Sequence, residues 1–108
     1  MHQTTFSADF EGSDGDAVVR VSGELDLTTA PVLRAALRAA LESCVDPGTM
    51  SVAVDMSDVT FIDCSGLNTF IACRREATSP GPTLSMVRPS SCVRRFVGLT
   101  NTTVLLAA

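Results

Sequence analysis

Two short segments of period two, SVAVDM (residues 51–56) and TLSMVR (residues 83–88), stand on either side of a stretch with helical spacing. In the first, Val52, Val54 and Met56 share one face against Ser51, Ala53 and Asp55; in the second, Leu84 and Met86 oppose Thr83 and Ser85. Between them, Leu67, Phe70, Ile71 and Cys73 line one side of a helix predicted from Cys64 to Thr78, and SPGP breaks the chain after it. A strand–helix–strand alternation implies parallel strands joined by right-handed crossovers. Strands of a parallel sheet covered on both faces read as continuous apolar runs, whereas these alternate. The helices are therefore expected mostly on one face of the sheet.

The flanking sequence extends this pattern. TTFSADF and AVVRVSG enclose EGSDGD, whose Gly and Asp content predicts a hairpin turn. In ELDLTTAPVLRAALRAALESC, the residues Ala30, Leu33, Leu37, Leu41 and Cys44 recur at helical spacing. Thr28 or Thr29 is available as its cap, Pro31 is tolerated in the first turn, and DPGT ends it. A short helix from Ser91 to Val97 follows the second alternating segment, capped by Ser90 or Ser91 and stopped by Gly98, and a last strand is expected in TVLLAA. The predicted order is β-β-α-β-α-β-α-β: an α/β fold with a mixed, mainly parallel sheet that opens on a hairpin. At 108 residues, with no linker or repeat, residues 1–108 read as one domain with a single core.

Composition removes several function classes. No apolar run approaches the roughly 20 residues needed to cross a bilayer, and MHQTTFSADF lacks the basic and apolar regions of a signal peptide. A cytoplasmic protein with no membrane partner is expected. The net charge is −4 and the basic residues form no stripe, so nucleic acid is not the expected partner either. Cys44, Cys64, Cys73 and Cys92 show no C-x-x-C spacing, and the single histidine is His2; no metal site and no cofactor are predicted.

The chemistry of the chain centres on FIDCSGL, residues 61–67, where a strand-like run gives way to a helical one. Ser65 is not in a nucleophile elbow, because G-x-S-x-G would place glycine where Asp63 and Leu67 stand. A phosphate loop built on Cys64 would need arginine at the position of Phe70, and no G-K-[ST] occurs. The domain is not read as an enzyme. Serine is a preferred helix cap, but Asp63 caps at least as well and would set Ile62 and Leu67 at the two staple positions. Ser65 is then either an ordinary first-turn residue or a displayed hydroxyl.

VTFIDCSGL after VAVDMS, preceded by VSGELDLTTAPVLRAAL, resembles the bacterial anti-sigma factor antagonists, small STAS-domain proteins, over about Val18 to Leu106. The resemblance implies a sheet flanked by helices. It also implies a partner, an anti-sigma factor that is a serine kinase of the GHKL type, whose sequestration frees the sigma factor. Ser65 falls at the family's phosphorylated serine; phosphorylation would break the complex and a PP2C-type phosphatase would restore it. Asp26, Thr28, Asp63, Gly66 and Leu67 fall in the regions that contact the kinase. Cys64 stands where many relatives have serine.

In a parallel sheet the loops after the strands gather along one edge, so the loops with Asp26 and Thr28, with Asp63 to Gly66, and with Arg88 and Ser90 are expected together. Gly66 costs about 1 kcal/mol against alanine inside a helix. Either a kinase must close over the neighbouring hydroxyl or the first turn is tightly packed; the resemblance favours the first. Asp26 could instead bind its own loop. Competing functions are a scaffold or nucleotide-binding STAS domain without a sigma role, and a thiol-based redox protein centred on Cys64.

Overall fold

A computed structural model describes residues 6–13, 16–43, 51–77 and 83–102. Cys44, SPGP and the strand expected in TVLLAA lie outside these residues. Four strands form one sheet in the order β1 (Ser7–Ser13), β2 (Asp16–Leu25), β3 (Ser51–Ile62), β4 (Thr83–Val87). β1 and β2 pair antiparallel as the expected hairpin, while β2–β3 and β3–β4 are parallel. Helices α1 (Ala30–Ser43) and α2 (Cys64–Glu76) make the two crossovers, and α3 (Ser91–Leu99) follows β4. Both crossovers step in the same direction across the sheet, so right-handed connections put α1 and α2 on the same face.

That shared face is the core. Val19, Val21, Leu25, Val52, Val54, Met56, Leu84 and Met86 of the sheet meet Leu33 and Leu37 of α1 and Leu67, Phe70 and Cys73 of α2, all buried. The other face carries polar neighbours in register, Asp9 beside Arg20 and Arg20 beside Asp55. This division explains the period-two pattern: β2, β3 and β4 each have one dry side. The stripe of α1 runs Ala30, Leu33, Leu37, Ala40, with Leu41 only half-buried. Among the described residues no helix is long and apolar enough to cross a membrane.

Two features depart from the sequence reading. β3 runs to Ile62, well past the SVAVDM segment, because two irregularities break its alternation. Between its pairings with Arg20 and Ser22, and again between those with Gly23 and Glu24, β3 uses one more residue than β2. Such bulges turn the strand and shift its faces. Gly23 sits between them at φ 98°, a left-handed backbone that favours glycine. The second departure is the end of α3. Gly98 lies inside the helix, and Asn101 at φ 59° ends it. Bonds from Thr102 N to the Val97 carbonyl (2.8 Å) and from Asn101 N to the Gly98 carbonyl (3.3 Å) close a Schellman motif on asparagine.

Asp55 marks the first bulge and is 8% exposed. Its Oδ1 accepts from the Ser57 backbone N–H at 2.9 Å, and Arg88 Nε lies 4.0 Å from Oδ2. Burial pushes the carboxyl upward, but the Ser57 hydrogen bonds and the charges of Arg88 and Arg20 outweigh it, leaving Asp55 below the ordinary carboxylate range.

Candidate functional site

The extension of β3 delivers the DCSGL segment to the end of β2. Ile62 pairs with Leu25, and the Asp63 N–H donates to the Leu25 carbonyl at 3.2 Å. Asp63 then caps α2: its backbone is extended (φ −127°, ψ −173°) and its Oδ1 accepts from Gly66 N at 3.1 Å. Ile62 and Leu67, the residues before the cap and four after it, are both buried, as a hydrophobic staple requires. Local sequence thus fixes where the helix starts.

Ser65 occupies the second helical position and is half-buried. Its carbonyl accepts from Thr69 Oγ1 at 2.9 Å, but its hydroxyl has no hydrogen-bond partner among the described residues. Capping falls to Asp63 alone. Cys64, beside it, is an exposed free thiol, whereas Cys73 is buried, and burial raises the Cys73 thiol pKa.

The Asp26 loop adjoins this helix start through Leu25. Asp26 Oδ1 accepts from the backbone N–H groups of Thr28 (3.0 Å) and Thr29 (3.1 Å). Thr29 Oγ1 accepts from Asp26 N at 2.9 Å and donates to the Glu24 carbonyl at 2.8 Å. The Asp26 carbonyl takes Ala30 N at 2.8 Å as α1 begins. The aspartate therefore binds its own loop, the alternative to a free partner-binding carboxylate. Thr28 is exposed at the tip of the turn.

Gly66 and Leu67, both expected in the partner-contact region, are buried. Leu67 is 4% exposed and belongs to the core. A Cβ on Gly66 would stand 2.5 Å from Leu25 Cγ, 3.0 Å from Leu25 Cδ2 and 3.0 Å from the Leu25 carbonyl oxygen. Close packing of α2 on β2, the second of the two readings of this glycine, accounts for it. The loop after β4 also departs from expectation. β4 ends opposite Asp55, whose neighbour in β2 is Arg20, while Ile62 stands opposite Leu25. At ~3.3 Å per residue, those five residues of β2 set Arg88 about 17 Å short of the Asp63 edge. The vacated flank of β3 is taken by α3, where Ser90 N donates to the Met56 carbonyl (3.1 Å) and Cys92 Sγ to that of Val59 (3.3 Å).

Sequence reasoning missed three exposed apolar residues in the segments that lead into and out of the Asp26 turn and up to Asp63: Leu27, Val32 and Phe61. The signal for Leu27 was present, since a leucine inside the turn LDLTT has no core to enter. Phe61 was hidden by the bulges, which decouple its face from the alternation upstream.

The comparisons with known proteins agree with this geometry. Residues 8–107 match the profile of the family described as Mlab, STAS domain. The anti-sigma-B factor antagonist of Bacillus subtilis (strain 168) is 27% identical over 94 residues, which span 87% of this chain and 82% of the relative. The crystal structure of an anti-sigma factor antagonist from Mycobacterium paratuberculosis superposes with a TM-score of 0.77 at 29% identity, covering 94% of this chain and 83% of that one. The anti-sigma factor antagonist SpoIIAA in its unphosphorylated form superposes with a TM-score of 0.70 at 20% identity, covering 95% and 86%, a likeness of fold. With the profile spanning nearly the whole chain and the sheet, crossovers and helix start all in place, the chain belongs to the STAS-domain family, alongside the anti-sigma factor antagonists.

Proposed function

We propose that this protein is an anti-sigma factor antagonist whose grip on its anti-sigma factor is released by phosphorylation of Ser65. The observation that carries the reading is the Ser65 hydroxyl, relieved of capping by Asp63 and without a partner among the described residues, next to the Asp26 turn. The partner is an anti-sigma factor that is itself a GHKL-type serine kinase, acting in the cytoplasm. It transfers the γ-phosphoryl group of ATP to Ser65 Oγ, releasing ADP and the hydroxyl proton. A PP2C-type phosphatase hydrolyses the ester and resets the switch.

The position suits such a switch physically. A phosphate at the second position of α2 meets the positive end of the helix dipole and its free N–H groups, so the fold tolerates it. The cost falls on the complex, which would have to dehydrate a charge of about −1.5 to −2. Burying an ionised group costs several kcal/mol, and each 1.4 kcal/mol is tenfold in affinity, so a loss of about 100-fold needs no rearrangement. The test is to purify each GHKL-type kinase of the source organism, incubate it with the protein and ATP, and weigh the product. One phosphate on Ser65, none on Ser65→Ala, and retained binding of Ser65→Ala are expected. A chain that no kinase modifies at Ser65 would refute the switch.

A further inference from the structure

The segments that frame Ser65, residues 22–32 and 57–69, contain four charged side chains, Glu24, Asp26, Asp58 and Asp63, all acidic. The eight arginines all lie elsewhere in the chain, which has no lysine. Within this acidic rim Leu27 is 75% exposed and Phe61 is 47% exposed. Phe61 stands opposite Glu24 in the β2–β3 register, and Leu27 follows three residues later over the turn. Leu27 is not a loose tip: the Asp26 and Thr29 hydrogen bonds described above close the backbone on both sides of it. An apolar residue on a backbone that is already held in place is preorganised for contact, because binding need order only its side chain.

Resting on the reading of Ser65 above, we infer that Leu27 and Phe61 are the apolar anchors of the anti-sigma factor interface. The partner surface they fit is an apolar recess ringed by arginine and lysine. Charge selects this occupant. A second copy of the chain would set four carboxylates against four, and an anionic lipid surface would repel the same edge. A basic partner is instead steered toward it. Facing a basic ring, the phosphate on Ser65 is not repelled by charge; it acts through the dehydration cost described above, so high salt does not restore binding.

The probe is the purified kinase that labels Ser65. Its affinity and association rate are measured for the wild type, Leu27→Ser, Phe61→Ser, Asp58→Lys and Leu99→Ser, at about 50 and about 300 mM salt, which brackets strong and weak screening. Leu99 is a control of similar exposure, 78%, on α3. Leu27→Ser and Phe61→Ser are expected to weaken binding about tenfold or more. Asp58→Lys slows association, Leu99→Ser changes nothing, and wild-type association falls severalfold at the higher salt. Because Asp58 is exposed, its variant tests the charge term even where an apolar variant loses its fold. Unchanged binding by both folded apolar variants, an equal loss in Leu99→Ser, salt-independent association, or a dimer through this edge overturns the inference while leaving Ser65 as the phosphoacceptor. Failure of every kinase to label Ser65 removes both.

Discussion

The two helical glycines offer a single substitution with opposite outcomes. Gly98→Ala in α3 adds a methyl group with no atom within 4 Å, on an exposed turn inside the helix. Only backbone entropy changes, and the gain is up to about 1 kcal/mol. Gly66→Ala in α2 receives less of that gain, because it lies in the first turn, and meets Leu25. The nearest atom, Leu25 Cγ at 2.5 Å, belongs to a fully buried side chain. The Leu25 carbonyl at 3.0 Å cannot yield without moving β2, and that oxygen already accepts the Asp63 N–H. Overpacking of this kind costs about 1–3 kcal/mol, so the net loss for Gly66→Ala is about 1–2 kcal/mol. For a domain of this size, that is a fall in Tm of roughly 4–16 °C, against a rise of a few degrees for Gly98→Ala. Urea titrations and thermal melts followed by circular dichroism report both. A Gly66→Ala protein as stable as wild type would refute the packing account and return the glycine to a role above Ser65.

Two further predictions follow from the same geometry. Asp63→Ala removes the α2 cap and should cost about 1 kcal/mol by urea titration, whereas Asp63→Asn, which can still accept from Gly66 N, should lose only a fraction of that. Asp55 titrates lower in the folded than in the unfolded chain, so its contribution is present above the unfolded value near 4 and is lost as pH falls through the lower folded value. Asp55→Asn should therefore flatten that part of the stability–pH profile, and a variant with the wild-type slope there would contradict the assignment.

Element order and sidedness were legible because each period was intact where it was read: two in β4 and the start of β3, and 3.6 in α1 and α2. The helix start at Asp63 was legible for the same reason, since cap and staple depend only on neighbours in sequence. What sequence alone could not supply were contacts between distant segments. Gly66 looked like an opening because its reason, Leu25, is remote in the chain. The reach of β3 was hidden by its bulges, which space Met56, Val59 and Ile62 three apart and erase the strand signature. That one error misplaced Arg88 and Ser90, for an edge is defined by where each strand stops. Gly98 was read as a helix stop on propensity, yet Asn101 makes the turn, where its backbone can close two carbonyls.

Leu25 is the joint on which the site turns. Its carbonyl holds the start of α2, its side chain fills the space that Gly66 leaves, its strand register fixes Ile62, and the residue after it opens the Asp26 turn. The Ser65 hydroxyl and the Leu27 tip are therefore carried on one close-packed unit, and such units deform little. Among the described residues, the elements joined at Leu25 are close-packed, which disfavours a shape change sent from a phosphate at Ser65. On the proposed switch, the partner must read the phosphate directly, at the surface where it sits. On that reading, the close packing that would display Leu27 to a partner is also what would keep the signal local.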